Sequence, residues 1–279
     1  MQLHKIETGN FMLDGGAMFG VVPKTLWEKS YPSNENNLCN WAMRCLLVVD
    51  GDRKILIDNG IGDKQDEKFL KHYHLNGDDS LDKSLQAAGY TRDDITDMVL
   101  THLHFDHCGG SIIKTGEDQY ETAFKNATYW IGKGHWEWAT HPNRREKASF
   151  LKENILPIKE SGQLKLVEKE GELFPGFNVK FYSGHTDGQM IPFIQYNGKT
   201  IVFTADLLPS TAHVPIPYVM AFDTKPLLTL KEKESFFKEA IENEYVIFLE
   251  HDLFNECCTL ENTEKGPRVK EVFMLEEML

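Results

Sequence analysis

Thr101-His102-Leu103-His104-Phe105-Asp106-His107 places four metal-binding side chains within six residues. On an extended segment His102, His104 and Asp106 alternate onto one side, while His107 falls out of phase and reaches a second point in space. Imidazole nitrogen and carboxylate oxygen are ligands that zinc takes at about 2.0–2.2 Å. One short loop can therefore serve two cations, with His102 and His104 on one and Asp106 and His107 on the other. With 11 histidines in 279 residues, the pattern arises by chance in about one of a thousand such sequences. The competing reading is a histidine-rich strand end that is only solvated or hydrogen-bonded.

Residues 95–101 read as a buried strand that delivers this cluster at its C-terminal end, where layered α/β folds open onto ligand-binding loops. Upstream, residues 45–49 and 54–58 are β-rich and flank a turn at Asp50-Gly51-Asp52, the pattern of a hairpin. Residues 80–88 predict a short helix with Leu81, Leu85 and Ala88 on one face and Gly89 as its stop. Downstream, residues 179–182 predict a strand that runs into the turn-rich loop Ser183-Gly184-His185-Thr186-Asp187-Gly188. Residues 189–196 and 199–204 form a hairpin around Asn197-Gly198, and its second strand ends at Ala205-Asp206.

Residues 229–243 predict a helix opened by a capping box of Thr229 and Glu232, burying Phe236, Phe237, Ala240 and Ile241. A strand at 245–249 leads into Glu250-His251-Asp252. From about Val269 the chain predicts a last helix, with Val272, Met274 or Leu275, and Leu279 turned inward. Strands and helices interleave while strands often pair as hairpins, which predicts a mixed α/β layer fold. We expect one domain over 1–279, with 125–175 as an inserted helical segment.

His185, Asp206 and His251 each follow a predicted strand. Singly, each would more often serve structure; with the cluster they supply three further ligands, the number needed to complete two open sites. The order HxHxDH, Gly-His-Thr, Asp, His resembles the metallo-β-lactamase superfamily over nearly the whole chain. Leu56-Ile57-Asp58-Asn59-Gly60 is similar to that superfamily's Asp-Thr-Gly strand end, with Asn for Thr. The resemblance implies an αββα sandwich carrying two divalent ions, zinc by preference, along one edge. It assigns His102, His104 and His185 to one ion, Asp106, His107 and His251 to the other, and Asp206 as the bridge.

Two such ions about 3.5–4 Å apart turn a bridging water into hydroxide near neutral pH, and one of them polarises the scissile carbonyl. Asp106 keeps an oxygen that can shuttle the proton to the leaving group. Asp58, Asp187 and Asp252 are candidates for orienting the imidazoles, with plain turn or solvent roles as the alternative.

The run 102–110 is similar to the N-acyl-homoserine lactonase branch. Asp14-Gly-Gly-Ala-Met-Phe-Gly-Val-Val-Pro23, followed by Leu26-Trp27, resembles the quorum-quenching lactonases and their methyl parathion hydrolase relatives. Ala17, Met18, Phe19 and Trp27 are apolar groups beside glycines, suited to a loop that covers the mouth and holds an acyl chain. Core packing of the first strand, or a homodimer contact, would use the same residues. The best-known lactonases carry a tyrosine three residues after the bridging aspartate, where this chain has Pro209. His213 is the candidate to replace it as the polar contact to substrate, with a core-satisfied histidine as the alternative.

The expected reaction is therefore the opening of an acyl-homoserine lactone. A phosphotriester or aryl ester hydrolase on the same site is the nearest alternative, and a non-catalytic zinc protein a more distant one. A metal-dependent nuclease would need basic residues about the pocket, and the balance of 43 acidic against 30 basic residues, net −13, lacks that footprint. The expected partner is a small lactone or ester, neither nucleic acid nor membrane. No apolar run approaches the ~20 residues of a membrane span, and Met1–Asn10 lacks the basic and apolar parts of a signal peptide. Five cysteines, an odd number without a CxxC pair, suit a reducing compartment, so the cytoplasm is expected. His135, Trp136, Trp138 and His141 read as helix packing rather than pocket lining, and His72 and His74 as surface residues. Cys108, Cys257 and Cys258 read as packing.

Overall fold

The computed structural model describes residues 1–278. The chain divides into two compact units, Met1–Asn10 with Met43–Lys169, and Phe11–Ala42 with Glu170–Leu279.

A six-stranded sheet has the order β1 (Gln2–Asp14), β2 (Leu38–Asp50), β3 (Arg53–Ile57), β4 (Asp97–Val99), β7 (Thr128–Gly132) and β8 (Leu164–Val167). A separate ribbon pairs β5 (Ile112–Gly116) with β6 (Gln119–Thr122). The β2–β3 hairpin forms as its sequence predicts, with Gly51 at φ +58° in the turn. β3 and β4 run parallel with Ile57 beside Val99, so their C-terminal ends leave the sheet side by side. That register brings Asp58 next to Thr101. Leu47, Leu56, Met98 and Tyr129 pack with Leu85, Ile155 and Ile158 of the covering helices into one apolar core. Each such side chain, fully buried, contributes about 1.5–3 kcal/mol.

The predicted helix at 80–88 spans Leu81–Ala87. Ser80 Oγ accepts from the Lys83 N–H at its start, and Gly89 at φ +86° ends it. Residues 125–175 depart from the expected helical insert. They do carry helices Lys133–Thr140 and Lys152–Glu160, but β7 and β8 flank these and pair in parallel within the sheet. Strands of four and five residues are too short to print a period of two against their polar neighbours.

The second unit holds a sheet of order β15 (Gly266–Phe273), β14 (Cys257–Thr263), β13 (Val246–Phe248), β12 (Lys199–Phe203), β11 (Gln189–Tyr196), β10 (Phe177–Tyr182) and β9 (Gly171–Phe174). The β11–β12 turn has Asn197 at φ +50° and Gly198 at φ +77°, the type I′ geometry its dipeptide predicts. β12 and β13 are parallel, with Phe203 beside Phe248, so the Asp206 and His251 loops leave the sheet as neighbours.

Two elements differ from their expected form. The long helix runs Pro226–Glu242, three residues ahead of the expected start, because Pro226 at its first turn has φ already set for a helix. Thr229 therefore lies inside the helix, and the Glu232 carboxylate accepts instead from the N–H groups of Ser183 (2.7 Å) and Gly184 (2.8 Å). The expected last helix is instead the β14–β15 hairpin followed by a short 3₁₀ turn, Leu275–Met278. Leu275 is buried, while Val272 and Met274 are exposed. β15 satisfies its backbone against β14 but lies at the sheet edge with half-exposed side chains, so no inward stripe marks its period. Leu279 lies outside the described residues. Among the described residues no helix is long and apolar enough to cross a membrane.

Candidate metal centre

In the first unit the histidine cluster hangs from the end of β4. Asp58, at the adjacent end of β3, has φ +56° and is fully buried, a backbone region that aspartate tolerates better than most residues. Its Oδ1 accepts the Thr101 N–H at 2.8 Å and its Oδ2 the Thr101 hydroxyl at 2.6 Å. The same Oδ2 lies 3.2 Å from His107 Nδ1. Asp58 thus ties the strand end to one imidazole and turns the other nitrogen of His107 away.

The cluster itself converges. His102 Nε2 and His104 Nδ1 are 3.1 Å apart, and the His102 and His107 ring centroids are 3.9 Å apart. Asp106 Oδ2 lies 3.7 Å from His107 Nε2. His102 and His107 are wholly buried and His104 nearly so. Behind the cluster, a Cβ on Gly109 would fall 2.0 Å from the Ile61 carbonyl oxygen, and one on Gly110 would fall 2.3 Å from that of Asn59. The Gly-Gly pair after His107-Cys108 is the close approach that lets the loop turn back under its ligands.

The second unit gathers the other three residues. His185 Nε2 lies 3.0 Å from Asp206 Oδ2, and His251 Nε2 lies 3.0 Å from Asp206 Oδ1. Each carboxylate oxygen of Asp206 thus faces a different imidazole. Ala205, at φ +41° and fully buried, holds a left-handed backbone that costs on the order of 1–3 kcal/mol and turns Asp206 out of the strand direction. Gly184 precedes His185 because a Cβ there would fall 2.5 Å from the Thr229 nitrogen. His185 Nδ1 is held by Asp223 Oδ1 at 2.9 Å, and His251 Nδ1 faces the Ala42 carbonyl at 2.8 Å. Burial alone would push the His185 imidazole down; Asp206 and Asp223 outweigh it and carry it up to about 10.

This donor chemistry fits divalent cations. The imidazoles of His107, His185 and His251 each have Nδ1 on a carboxylate or carbonyl and Nε2 turned to the other donors, the arrangement that metal-ligating histidines adopt. Nitrogen and oxygen donors of this kind suit zinc and its neighbours.

Other expected site residues lie elsewhere. Met18, Phe19, Trp27 and His213 are at most 2% exposed. Phe19 is stacked between Trp27 (centroids 4.9 Å apart) and His213 (4.6 Å), so these residues form core, as the packing alternative has it. His213 Nε2 faces the Met18 carbonyl at 2.9 Å and Nδ1 the Ser210 hydroxyl at 2.7 Å. Both ring nitrogens are engaged, so none is left for the expected polar contact to substrate. Asp187 forms an ion pair with Lys225, and Asp252 accepts from the Thr211 N–H and hydroxyl and the Phe254 N–H. Of the three aspartates expected behind the imidazoles, Asp58 takes that place. Asp223 and Glu146, whose Oε1 lies 3.4 Å from His104 Nε2, escaped the sequence reading. Each is a lone acidic residue in a loop, and no local pattern marks it. His135 and Trp136 are buried, His72, His74 and His141 are exposed, and all five cysteines are buried and outside any disulfide.

Residues 44–251 match the family model of the metallo-beta-lactamase superfamily. An N-acyl homoserine lactonase of Bacillus thuringiensis is 25% identical over 269 residues, covering 91% of this chain and 94% of the relative. A probable metal-dependent hydrolase from Staphylococcus aureus is similar with a TM-score of 0.89 and 31% identity, over 99% of this chain and 97% of the other. AidC, a dizinc quorum-quenching lactonase solved with its product N-hexanoyl-L-homoserine, shares the fold with a TM-score of 0.80 at 22% identity, over 98% and 95% of the two chains.

Proposed function

From the chain's membership of the metallo-β-lactamase superfamily, which makes it a metal-dependent hydrolase, we propose that it is a lactonase opening N-acyl homoserine lactones. The observation that carries this reading is the Asp206 carboxylate, with one oxygen 3.0 Å from His185 Nε2 and the other 3.0 Å from His251 Nε2. A carboxylate divided between two imidazoles is what a residue shared by two cations requires. The near-complete mutual coverage with the lactonase of Bacillus thuringiensis supports the substrate class.

In this reading 1–279 works as one catalytic domain and the ligand sets are those of the sequence order. His102, His104 and His185 would hold one ion, Asp106, His107 and His251 the other, and Asp206 would be shared. When bound, two divalent ions, zinc by preference, supply Lewis acidity toward the lactone carbonyl and make a nucleophile of water near neutral pH. The protein's part is orientation and proton transfer. Asp58 and Asp223 fix the rings of His107 and His185, so little reorganisation is left for the reaction. Asp106 takes up a proton and returns it to the ring oxygen as that oxygen leaves. His213 serves as scaffold, holding Met18 and Ser210 in place.

One observation favours a second reading, hydrolysis of aryl esters or phosphotriesters. Pro209 stands where the lactonases place a tyrosine, so a lactone carbonyl would lack that hydroxyl. The net charge of −13 supports a small neutral substrate over a polyanion in either case. Five cysteines that form no disulfide with one another support a cytoplasmic setting.

The test is a panel on the metal-loaded enzyme: short- and long-chain acyl homoserine lactones, an aryl ester and a phosphotriester. Lactone opening well above the buffer rate, abolished by Asp206→Asn, is expected. Ester or phosphotriester turnover with lactone opening no faster than buffer would overturn the lactonase reading.

A further inference from the structure

Three consecutive residues of the histidine cluster are gripped by one later stretch of the first unit. The Leu103 N–H donates to His135 Nε2 at 2.8 Å, His104 Nε2 faces Glu146 Oε1 at 3.4 Å, and the Phe105 N–H donates to the Ser149 carbonyl at 3.0 Å. His135 lies in the helix Lys133–Thr140 and is fully buried; Glu146 follows that helix and is 3% exposed. The stretch expected to be mere packing thus supports His104 and both of its neighbours.

Glu146 is itself held in place. Its Oε2 accepts from Trp138 Nε1 at 2.7 Å and from Asn143 Nδ2 at 2.7 Å, and its own N–H donates to Asn143 Oδ1 at 3.1 Å. Two fixed donors on Oε2 decide that Oε1 is the oxygen turned to the imidazole. A carboxylate oxygen accepts only, so the His104 ring must carry its proton on Nε2. Nδ1 then keeps its lone pair, and Nδ1 is the atom 3.1 Å from His102 Nε2.

We propose that Glu146, pinned by Trp138 and Asn143, is a positioning residue of the metal centre that fixes His104 in the one neutral form able to offer Nδ1 to a cation. The inference rests on the reading of His104 as a metal ligand. Its chemistry is separate from that of Asp58 and Asp223, which act on Nδ1 of their imidazoles and free Nε2; Glu146 does the reverse.

Glu146→Gln gives a sharp test. The Trp138 and Asn143 donors retain the amide oxygen, so the new NH₂ faces His104 Nε2 and drives the ring proton to Nδ1. In the metal-free protein, ¹⁵N side-chain spectra of the histidines are expected to show His104 as the Nε2–H form in the parent and the Nδ1–H form in the variant. Zinc affinity, measured by competition with a chromophoric chelator, is expected to fall about 10- to 100-fold. A folded Glu146→Gln protein with an unchanged His104 form and zinc affinity within threefold of the parent overturns the proposal. If that variant does not fold, the double variant Trp138→Phe/Asn143→Ala carries the test. It frees the carboxylate to rotate and is expected to weaken zinc at least threefold, and unchanged affinity overturns the proposal equally. His104→Ala separates the two levels. If it leaves zinc affinity intact, the ligand reading fails; if it abolishes zinc binding while Glu146→Gln does not weaken it, only the role of Glu146 fails.

Discussion

Asp223 Oδ1 stands 2.9 Å from Nδ1 of His185, across 38 residues of chain, and both side chains are buried. Asp206 occupies the other nitrogen of the same ring. The imidazole is therefore fixed from both sides, and its orientation does not wait for a ligand. Asp223→Ala is expected to lower metal affinity about 10- to 100-fold, read by chelator competition, and to lower kcat in proportion to the metal lost. Metal content and affinity unchanged from the parent would show that Asp223 is dispensable to the centre.

Gly109 tolerates no side chain, because its Cβ would lie 2.0 Å from a backbone oxygen at Ile61. Backbone cannot yield as a flexible side chain does. Gly109→Ala is expected to cost about 3 kcal/mol or more, measured by urea unfolding. Gly51→Ala serves as the contrast, since its Cβ meets nothing within 4 Å and its penalty is confined to the positive φ, about 1 kcal/mol. Equal losses in the two variants would contradict the steric argument.

His213 sets a pH dependence. Burial pushes its imidazole down to about 3, while the unfolded chain titrates at about 6.5. The folded-state value is depressed, so between those limits the unfolded chain binds the extra proton. This contribution to stability is complete above about pH 6.5 and is lost as pH falls toward 3, by about 1.4 kcal/mol per unit at its steepest. His213→Phe, which keeps the stack on Phe19, should be less stable at pH 7 for want of two hydrogen bonds. Its stability should nonetheless decline less steeply between pH 6 and 4 in parallel denaturant titrations. Identical slopes would rule out His213 as the source.

Lys233 is 1% exposed, and its ammonium donates to the carbonyls of His213 (2.7 Å) and Tyr218 (2.9 Å), with Pro215 and Ile216 at 3.3 Å. It staples the loop that runs from Asp206 to Asp223. Lys233→Met keeps the stem and strips the donors. The stranded carbonyls are expected to cost about 3 kcal/mol or more, with faster amide exchange across 213–218 than in the sheets. Unchanged exchange there would mean the loop holds itself.

The parts of the site visible in sequence were those written locally. His102 to His107 are contiguous, and the Asp206 and His251 loops each follow a short apolar strand. The Asn197-Gly198 turn carries its own geometry. What escaped depends on register. Thr229 and Glu232 have capping-box spacing, but Pro226 three residues earlier is pre-set for a helix and takes the start. Residues 269–275 mimic a helical stripe because β15, an edge strand, has little buried side chain to betray its alternation. Asp223 and Glu146 gain their meaning only from an imidazole 38 or 42 residues away. Phe19 and Trp27 are not separable by sequence, because apolar side chains beside glycines suit a substrate-covering loop and a tightly packed core equally.

The discontinuity of the second unit bears on how the protein is made. Phe11–Ala42 emerges from the ribosome ahead of all of Met43–Lys169, while its partners begin only at Glu170. At about 5–20 residues per second, that segment waits on the order of ten seconds before the rest of its unit exists. During this interval Phe19, Trp27, Tyr31 and Trp41, all buried in the finished protein, have only one another to pack against, because His213, Tyr218 and Phe254 are not yet made. The first unit can mature during synthesis. The second can close only near the end of translation, which makes those four aromatic residues a natural hold for chaperones and a starting point for misassembly when none are present.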